Sequence, residues 1–127
     1  MNDLENIQRL TERFKRQMPD GEVYQRRLAE EFELILKQRF TEYFFKICDI
    51  IDLTQDVKHM TRGSAGSSLV CYLLGITDVD PVKWNIPVAR FLNPLRDDLP
   101  DVDIDFEHWR QKDIMERIFK KWPGKTA

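Results

Sequence analysis

At 127 residues the chain is long enough for one modest domain with a core of its own, and too short for two. A charged fraction of 33% against 42% hydrophobic, with Leu, Ile or Phe in every segment, is the composition of a folded soluble protein and excludes a disordered one. The net charge of −2 supplies no overall basic surface, yet leaves room for a local cluster of Lys and Arg, so it neither demands nor forbids a nucleic-acid partner.

The first twenty residues, MNDLENIQRLTERFKRQMPD, hold no continuous apolar core, and no later run is long enough to span a bilayer. The expected location is cytoplasmic, with no membrane partner. Leu4, Ile7, Leu10, Phe14 and Met18 recur at helical spacing among Arg, Glu and Lys, which predicts an amphipathic helix stopped by Pro19-Asp20-Gly21. A second helix is expected from Glu22 to about Arg39, its stripe carried by Tyr24, Leu28, Phe32, Ile35 and Leu36. The third, FTEYFFKICDIIDLT, offers Thr41 as an N-cap and is apolar nearly all round, so it is expected to be deeply buried.

From Lys58 the character changes. A small-residue loop, TRGSAGSS, runs into an apolar helix over Leu69 to Leu74, with Gly75 just past its end. Asp80-Pro81 reads as the cap and first position of a short helical turn. The three prolines of NIPVARFLNPLRDDLPDVDIDF exclude a long helix and leave short extended pieces, closed by an acidic strand. Ile114, Met115, Ile118, Phe119 and Trp122 then predict a final amphipathic helix, ended by Pro123 and Gly124. Cys48 and Cys71 sit in the apolar runs FFKICDII and SLVCYLL, as buried free thiols do, and neither His59 nor His108 has a Cys or second His at ligand spacing.

Two stretches could carry chemistry. In LPDVDIDFEH, Asp101, Asp103 and Asp105 alternate with Val102, Ile104 and Phe106, so a strand would line one face with three carboxylates. That face repels itself, and Asp is a poor strand former. One compensation is a cation: carboxylates at alternate positions lie ~6.6 Å apart along the strand and can hold one or two oxygen-seeking ions. A Mg²⁺ pair ~3.5–4 Å apart is the usual device for in-line phosphoryl or nucleotidyl transfer. The other compensation is solvent, on an edge strand whose charge blocks further pairing. In TRGSAGSSL, Arg62, Gly63 and Ser64 stand just ahead of a predicted helix, where free N–H groups and the helix dipole favour a phosphate. Gly permits close backbone approach and Ser64 adds a hydroxyl; a plain Ser-capped helix start is the alternative. Together, a phosphate loop and a metal-binding strand describe a nucleotidyltransferase active site.

The wording RGSAGSSLVCYLLGITDVDP, followed by RFLNPLRDDLPDVDIDF, resembles the first half of the palm domain of the bacterial replicative DNA polymerases of the C family, the alpha subunits of DNA polymerase III. The likeness runs from about Tyr43 to Lys121, and residues from about Glu22 resemble the helical lead-in to that palm. It implies an α+β fold: a mostly helical partial palm of the polymerase-beta-like nucleotidyltransferase type, with a short strand carrying the aspartates. Residues 1–127 would form a single partial palm domain, with 1–55 the helical lead-in and 56–127 the Gly-Ser loop, helix, acidic strand and closing helix.

By position, Asp101 and Asp103 match the family's catalytic, metal-binding aspartates, with Asp105 supporting on the same face, and Arg62, Gly63 and Ser64 match its nucleotide-binding residues. Arg90 and Arg96 match basic residues flanking FLNP. The implied cofactor is Mg²⁺, as two ions, or Mn²⁺. The implied partners are a deoxynucleoside triphosphate, primer-template DNA and the remaining polymerase domains or subunits. The sequence departs from the family in lacking glycines ahead of Arg62, in placing Gly66 one position early, and in having Ala89 where the family has Glu. The family's third catalytic aspartate, fingers and thumb fall outside these 127 residues. The resemblance therefore implies a palm module of a DNA-directed DNA polymerase, a fragment or split piece, inactive as an isolated chain. Two alternatives stand beside it. One is a non-catalytic, polymerase-related protein that binds a partner through its helices. The other is a free-standing nucleotidyltransferase drawing a third carboxylate from Asp97, Asp98 or Glu107.

Overall fold

Three helices build the first part of the chain: α1 (Asp3–Glu12), α2 (Glu22–Lys37) and α3 (Thr41–Leu53). The computed structural model describes residues 3–56, 59–92 and 103–123. After α3 come strand β1 (His59–Arg62), a 3-10 segment (Gly63–Ser67), α4 (Leu69–Leu73) and a 3-10 turn at Val88–Arg90. Strand β2 (Asp103–Phe106) and a 3-10 turn at His108–Arg110 then lead into α5 (Gln111–Lys121).

The expected burial of α3 holds for one face: Phe44, Ile47, Cys48 and Ile51 are buried, and Tyr43, Phe45 and Ile50 are half-buried. They share a core with Leu10 of α1, Ile35 of α2, Val70, Cys71 and Leu74 at α4, and Phe91 and Leu92. Phe44 anchors it, meeting Phe91 edge-on at 6.0 Å between ring centres. Each large side chain fully buried here stabilises the fold by ~1.5–3 kcal/mol relative to exposure. Cys48 and Cys71 are free and buried, as expected. No helix among the described residues is long and apolar enough to cross a membrane.

Helix α1 stops at Glu12, six residues short of the stripe's end at Met18. The short α4 leaves its terminal carbonyls without intrahelical partners. The chain leaves α1 to meet one of them, donating the Lys15 and Arg16 N–H groups to the Leu73 carbonyl at 2.7 and 3.1 Å. Phe14 keeps its apolar role by stacking on Phe32, with the rings 3° from parallel.

Two helix ends share one geometry. After α4, Gly75 takes φ +79, its N–H donates to the Tyr72 carbonyl at 3.2 Å, and the Ile76 N–H reaches back to Cys71 at 2.9 Å. After α2, Arg39 takes φ +59, with Arg39 N–H to Leu36 O at 3.2 Å and Phe40 N–H to Ile35 O at 2.9 Å. This is the Schellman arrangement, in which glycine is the usual residue at the left-handed position. Phe40, not Thr41, holds the cap position of α3 and supplies no side-chain cap, while Thr41 begins the helix as a buried residue. The Asp80 turn forms as expected: its carboxylate accepts the N–H groups of Val82 at 3.0 Å and Lys83 at 3.2 Å.

Strands β1 and β2 pair antiparallel, with His59 opposite Phe106, Met60 opposite Asp105, Thr61 opposite Ile104 and Arg62 opposite Asp103. Ile104 packs against the core, which fixes which face of the pair turns inward.

Candidate nucleotide and metal site

The strand register joins the two stretches singled out from the sequence. Arg62 is the last residue of β1 and Asp103 the first of β2, and they are direct cross-strand partners. Directly opposed residues in an antiparallel pair lie ~4.5–5.5 Å apart at Cα. Gly63 and Ser64 follow Arg62 without a gap and open the 3-10 segment, so the Gly-Ser turn leaves the sheet at the end where the acidic strand begins. Strand alternation sets positions 103 and 105 on the face opposite Ile104, which is held at the core. Cross-strand partners share a face, so positions 60 and 62 lie on that same side.

Asp101 lies outside the described residues, as does Arg96; Arg90 closes the 3-10 turn at Val88–Arg90 and is exposed. The side chains of Arg62, Ser64, Asp103 and Asp105 also lie outside what is described; carboxylate oxygens, the donors these aspartates offer, are of the kind that Mg²⁺ and Mn²⁺ prefer. Among the described residues no group of three or more His, Cys, Asp and Glu assembles a complete metal cluster. His59 is taken up by packing: its ring lies 6.2 Å from that of Phe106.

One expectation is corrected. Helix α4 starts at Leu69, as expected, but its N-terminus is not open to an anion. A protein carboxylate fills it. Glu31 of α2 is fully buried and accepts the Leu69 N–H at 2.7 Å, the Val70 N–H at 3.1 Å and the Ser68 hydroxyl at 2.6 Å. Ser68 in turn accepts the Cys71 N–H at 3.1 Å, as the N-cap of α4. Arg27, one turn earlier on α2, donates Nε to Glu31 at 2.9 Å and Nη2 to the Ser67 carbonyl at 2.6 Å. Burial pushes the Glu31 carboxyl above the ordinary carboxylate range, against the pull of Ser68, the two N–H groups and Arg27. Breaking such a buried pair from one side costs ~3–5 kcal/mol, because the remaining charge is left without compensation. The first N–H groups of α4 are thus already taken up by Glu31.

A second charged cluster secures the segment that follows β2. Asp56, just beyond α3, accepts Arg117 Nη1 at 2.6 Å, Arg117 Nη2 at 3.0 Å and Arg110 Nη2 at 3.0 Å. Asp113 accepts Arg110 at 2.9 Å and Arg117 at 2.8 Å. The two guanidinium groups hold both carboxyls below their ordinary range, and the carboxylates raise the Arg110 and Arg117 values in return. Together with Ile114, buried on α5, this network ties the exit of the acidic strand to the end of α3.

Over residues 4–127 the chain matches the family of the bacterial DNA polymerase III alpha NTPase domain. It is 40% identical over 110 residues to an error-prone DNA polymerase of Cutibacterium acnes, covering 85% of this chain and 10% of that protein. It is 38% identical over 121 residues to an error-prone DNA polymerase of Pseudomonas syringae pv. tomato, covering 91% of this chain and 12% of the relative. A DNA polymerase III subunit alpha of Staphylococcus aureus is 41% identical over 104 residues, covering 80% of this chain and 10% of the relative. The chain thus spans about a tenth of the length of the curated relatives it matches.

Proposed function

Because this chain belongs to the bacterial DNA polymerase III alpha NTPase domain family, we propose that it is a palm module of a DNA-directed DNA polymerase, serving DNA replication by nucleotidyl transfer. The observation that carries this reading is the register: Arg62 opposite Asp103 sets the Gly-Ser turn beside the strand of aspartates. The fold it requires is the α+β palm of the polymerase-beta type. The described helices and the short antiparallel pair are compatible with that fold.

In this reading Arg62 and the backbone of Gly63 and Ser64 hold the triphosphate of an incoming deoxynucleotide, and Ser64 adds its hydroxyl. Asp101 and Asp103 would hold two Mg²⁺ ions, or Mn²⁺, with Asp105 in support; they act as ligands, not as proton carriers. Two such ions held by these carboxylates would supply Lewis acidity toward a primer hydroxyl and positive charge against the triphosphate. The partners are primer-template DNA and the remaining polymerase domains or subunits, in the cytoplasm. The isolated chain has no polymerase activity of its own.

The test is to replace the matching segment of the Staphylococcus aureus alpha subunit with this chain and to assay templated primer extension. The reading predicts synthesis by the chimaera, abolished by Asp103→Asn. Synthesis indifferent to Asp103→Asn contradicts it, and so does primer extension by the purified chain alone.

A further inference from the structure

We propose that Glu31 and Arg27 are a positioning pair that fixes the backbone path of the Gly63–Ser67 turn and thereby sets its affinity for a nucleoside triphosphate, without touching the ligand. This rests on the reading of Gly63 and Ser64 as the triphosphate turn.

The turn is held at both ends by different elements. At its start, Arg62 is fixed in the strand pair by Asp103. At its end, Arg27 binds the Ser67 carbonyl at 2.6 Å, and Glu31 binds the hydroxyl of Ser68 and the N–H groups of Leu69 and Val70. Both side chains come from one helix, α2, and bind each other one turn apart. The far end of the turn is therefore referred to a single rigid element. A buried ion pair is a poor route to stability, since a well-packed apolar pair of the same volume serves as well or better. Its value here is directional: an apolar pair at positions 27 and 31 would leave the Ser67 carbonyl and the first N–H groups of α4 free to settle elsewhere.

The pair has a second effect. With its charge already against the first N–H groups of α4, Glu31 excludes a phosphate from that helix end. A bound triphosphate is thereby confined to the Arg62 side of the turn. Misplacement of a binding group by ~1 Å can cost ~10²-fold in function, so loss of a latch at one end of a five-residue turn is expected to be measurable.

The experiment uses this chain with Mg²⁺ and dATP. The dATP affinity and the amide hydrogen exchange of residues 63–70 are measured for the wild type, Glu31→Gln and Arg27→Lys. Leu10→Ala, a core substitution on α1 that leaves the Arg27 and Glu31 bonds to Ser67, Ser68, Leu69 and Val70 in place, controls for general loosening. The inference predicts that exchange at Leu69 and Val70 accelerates and that the dATP Kd rises about tenfold or more in both variants. In Leu10→Ala, Kd is expected to stay unchanged. If Glu31→Gln does not fold, Arg27→Lys, which keeps the charge and loses the bond to Ser67, decides the matter. Faster exchange with an unaltered Kd overturns the positioning role while leaving the triphosphate turn standing. A wild type without dATP affinity, or with affinity indifferent to Arg62→Ala, overturns the triphosphate reading itself and this inference with it.

Discussion

Arg62 and Asp103 stand directly opposite one another at the end of the β1–β2 pair, the first residue leading into the Gly-Ser turn and the second opening the acidic strand. This pairing converts two motifs far apart in the chain into neighbours. A shift of one residue in the register would turn Ile104 away from the core and the aspartates towards it. Packing of Ile104 and the site's geometry are therefore the same constraint.

The helix ends give the first prediction. Arg39 and Gly75 occupy equivalent left-handed positions, φ +59 and +79. A side chain there is strained by ~1–2 kcal/mol, and glycine is not. Arg39→Gly is expected to stabilise the protein by about 0.5–1 kcal/mol, after allowing for the greater freedom of glycine in the unfolded chain. Gly75→Ala is expected to destabilise by about 1–2 kcal/mol, the more so because its Cβ would lie 3.1 Å from Lys15 Cδ. Urea denaturation of both variants checks the opposite signs.

The acid limb of stability gives the second. Asp56 is held below the ordinary carboxylate range by Arg117 and Arg110. A carboxyl with a lower value folded than unfolded contributes stability above its unfolded value, ~3.9, and loses it as pH falls through the folded value. Asp56→Asn should therefore lower Tm at pH 6 to 7, and the gap to wild type should close as pH falls below ~4. Thermal melts of the two proteins across that range check it; no gap at pH 6 to 7 shows the network to be energetically idle, and a gap that stays constant to pH 2.5 shows that its contribution does not depend on the Asp56 charge.

The thiols give the third. Burial pushes the Cys48 thiol up to about 11 and raises that of Cys71 further, so neither carries appreciable thiolate at pH 8. Both are expected to resist Ellman's reagent in the native protein and to react promptly in denaturant. Fast labelling of the native protein would place one of them outside the core.

Much of this was legible in the sequence because helical periodicity reports burial. Tyr24, Leu28, Phe32 and Ile35 mark the α2 stripe, and Phe44, Ile47 and Ile51 lie on the buried face of the expected third helix. The acidic strand was legible from alternation alone, for residues 103–106. What was not legible depends on contacts between distant segments. Strand β1 carries no alternating pattern of its own and exists because β2 pairs with it. The early end of α1 depends on the Leu73 carbonyl. Glu31 was missed at the site because Glu on a helix reads as solvent-facing. The available signal was its spacing, three residues after Leu28 and four before Ile35, which sets a charge within the apolar stripe with Arg27 one turn before it.

If the aspartates beside the Gly-Ser turn hold divalent metal, titration of this chain with Mn²⁺, followed by electron paramagnetic resonance, will detect it. Saturable binding by the wild type is expected, weakened at least about tenfold, or ~1.4 kcal/mol, in Asp103→Asn, with the melting temperature of the metal-free protein little changed. Equal Mn²⁺ binding by the two proteins would contradict it and leave the chain as a partner-binding relative of the polymerases with an unused acidic strand.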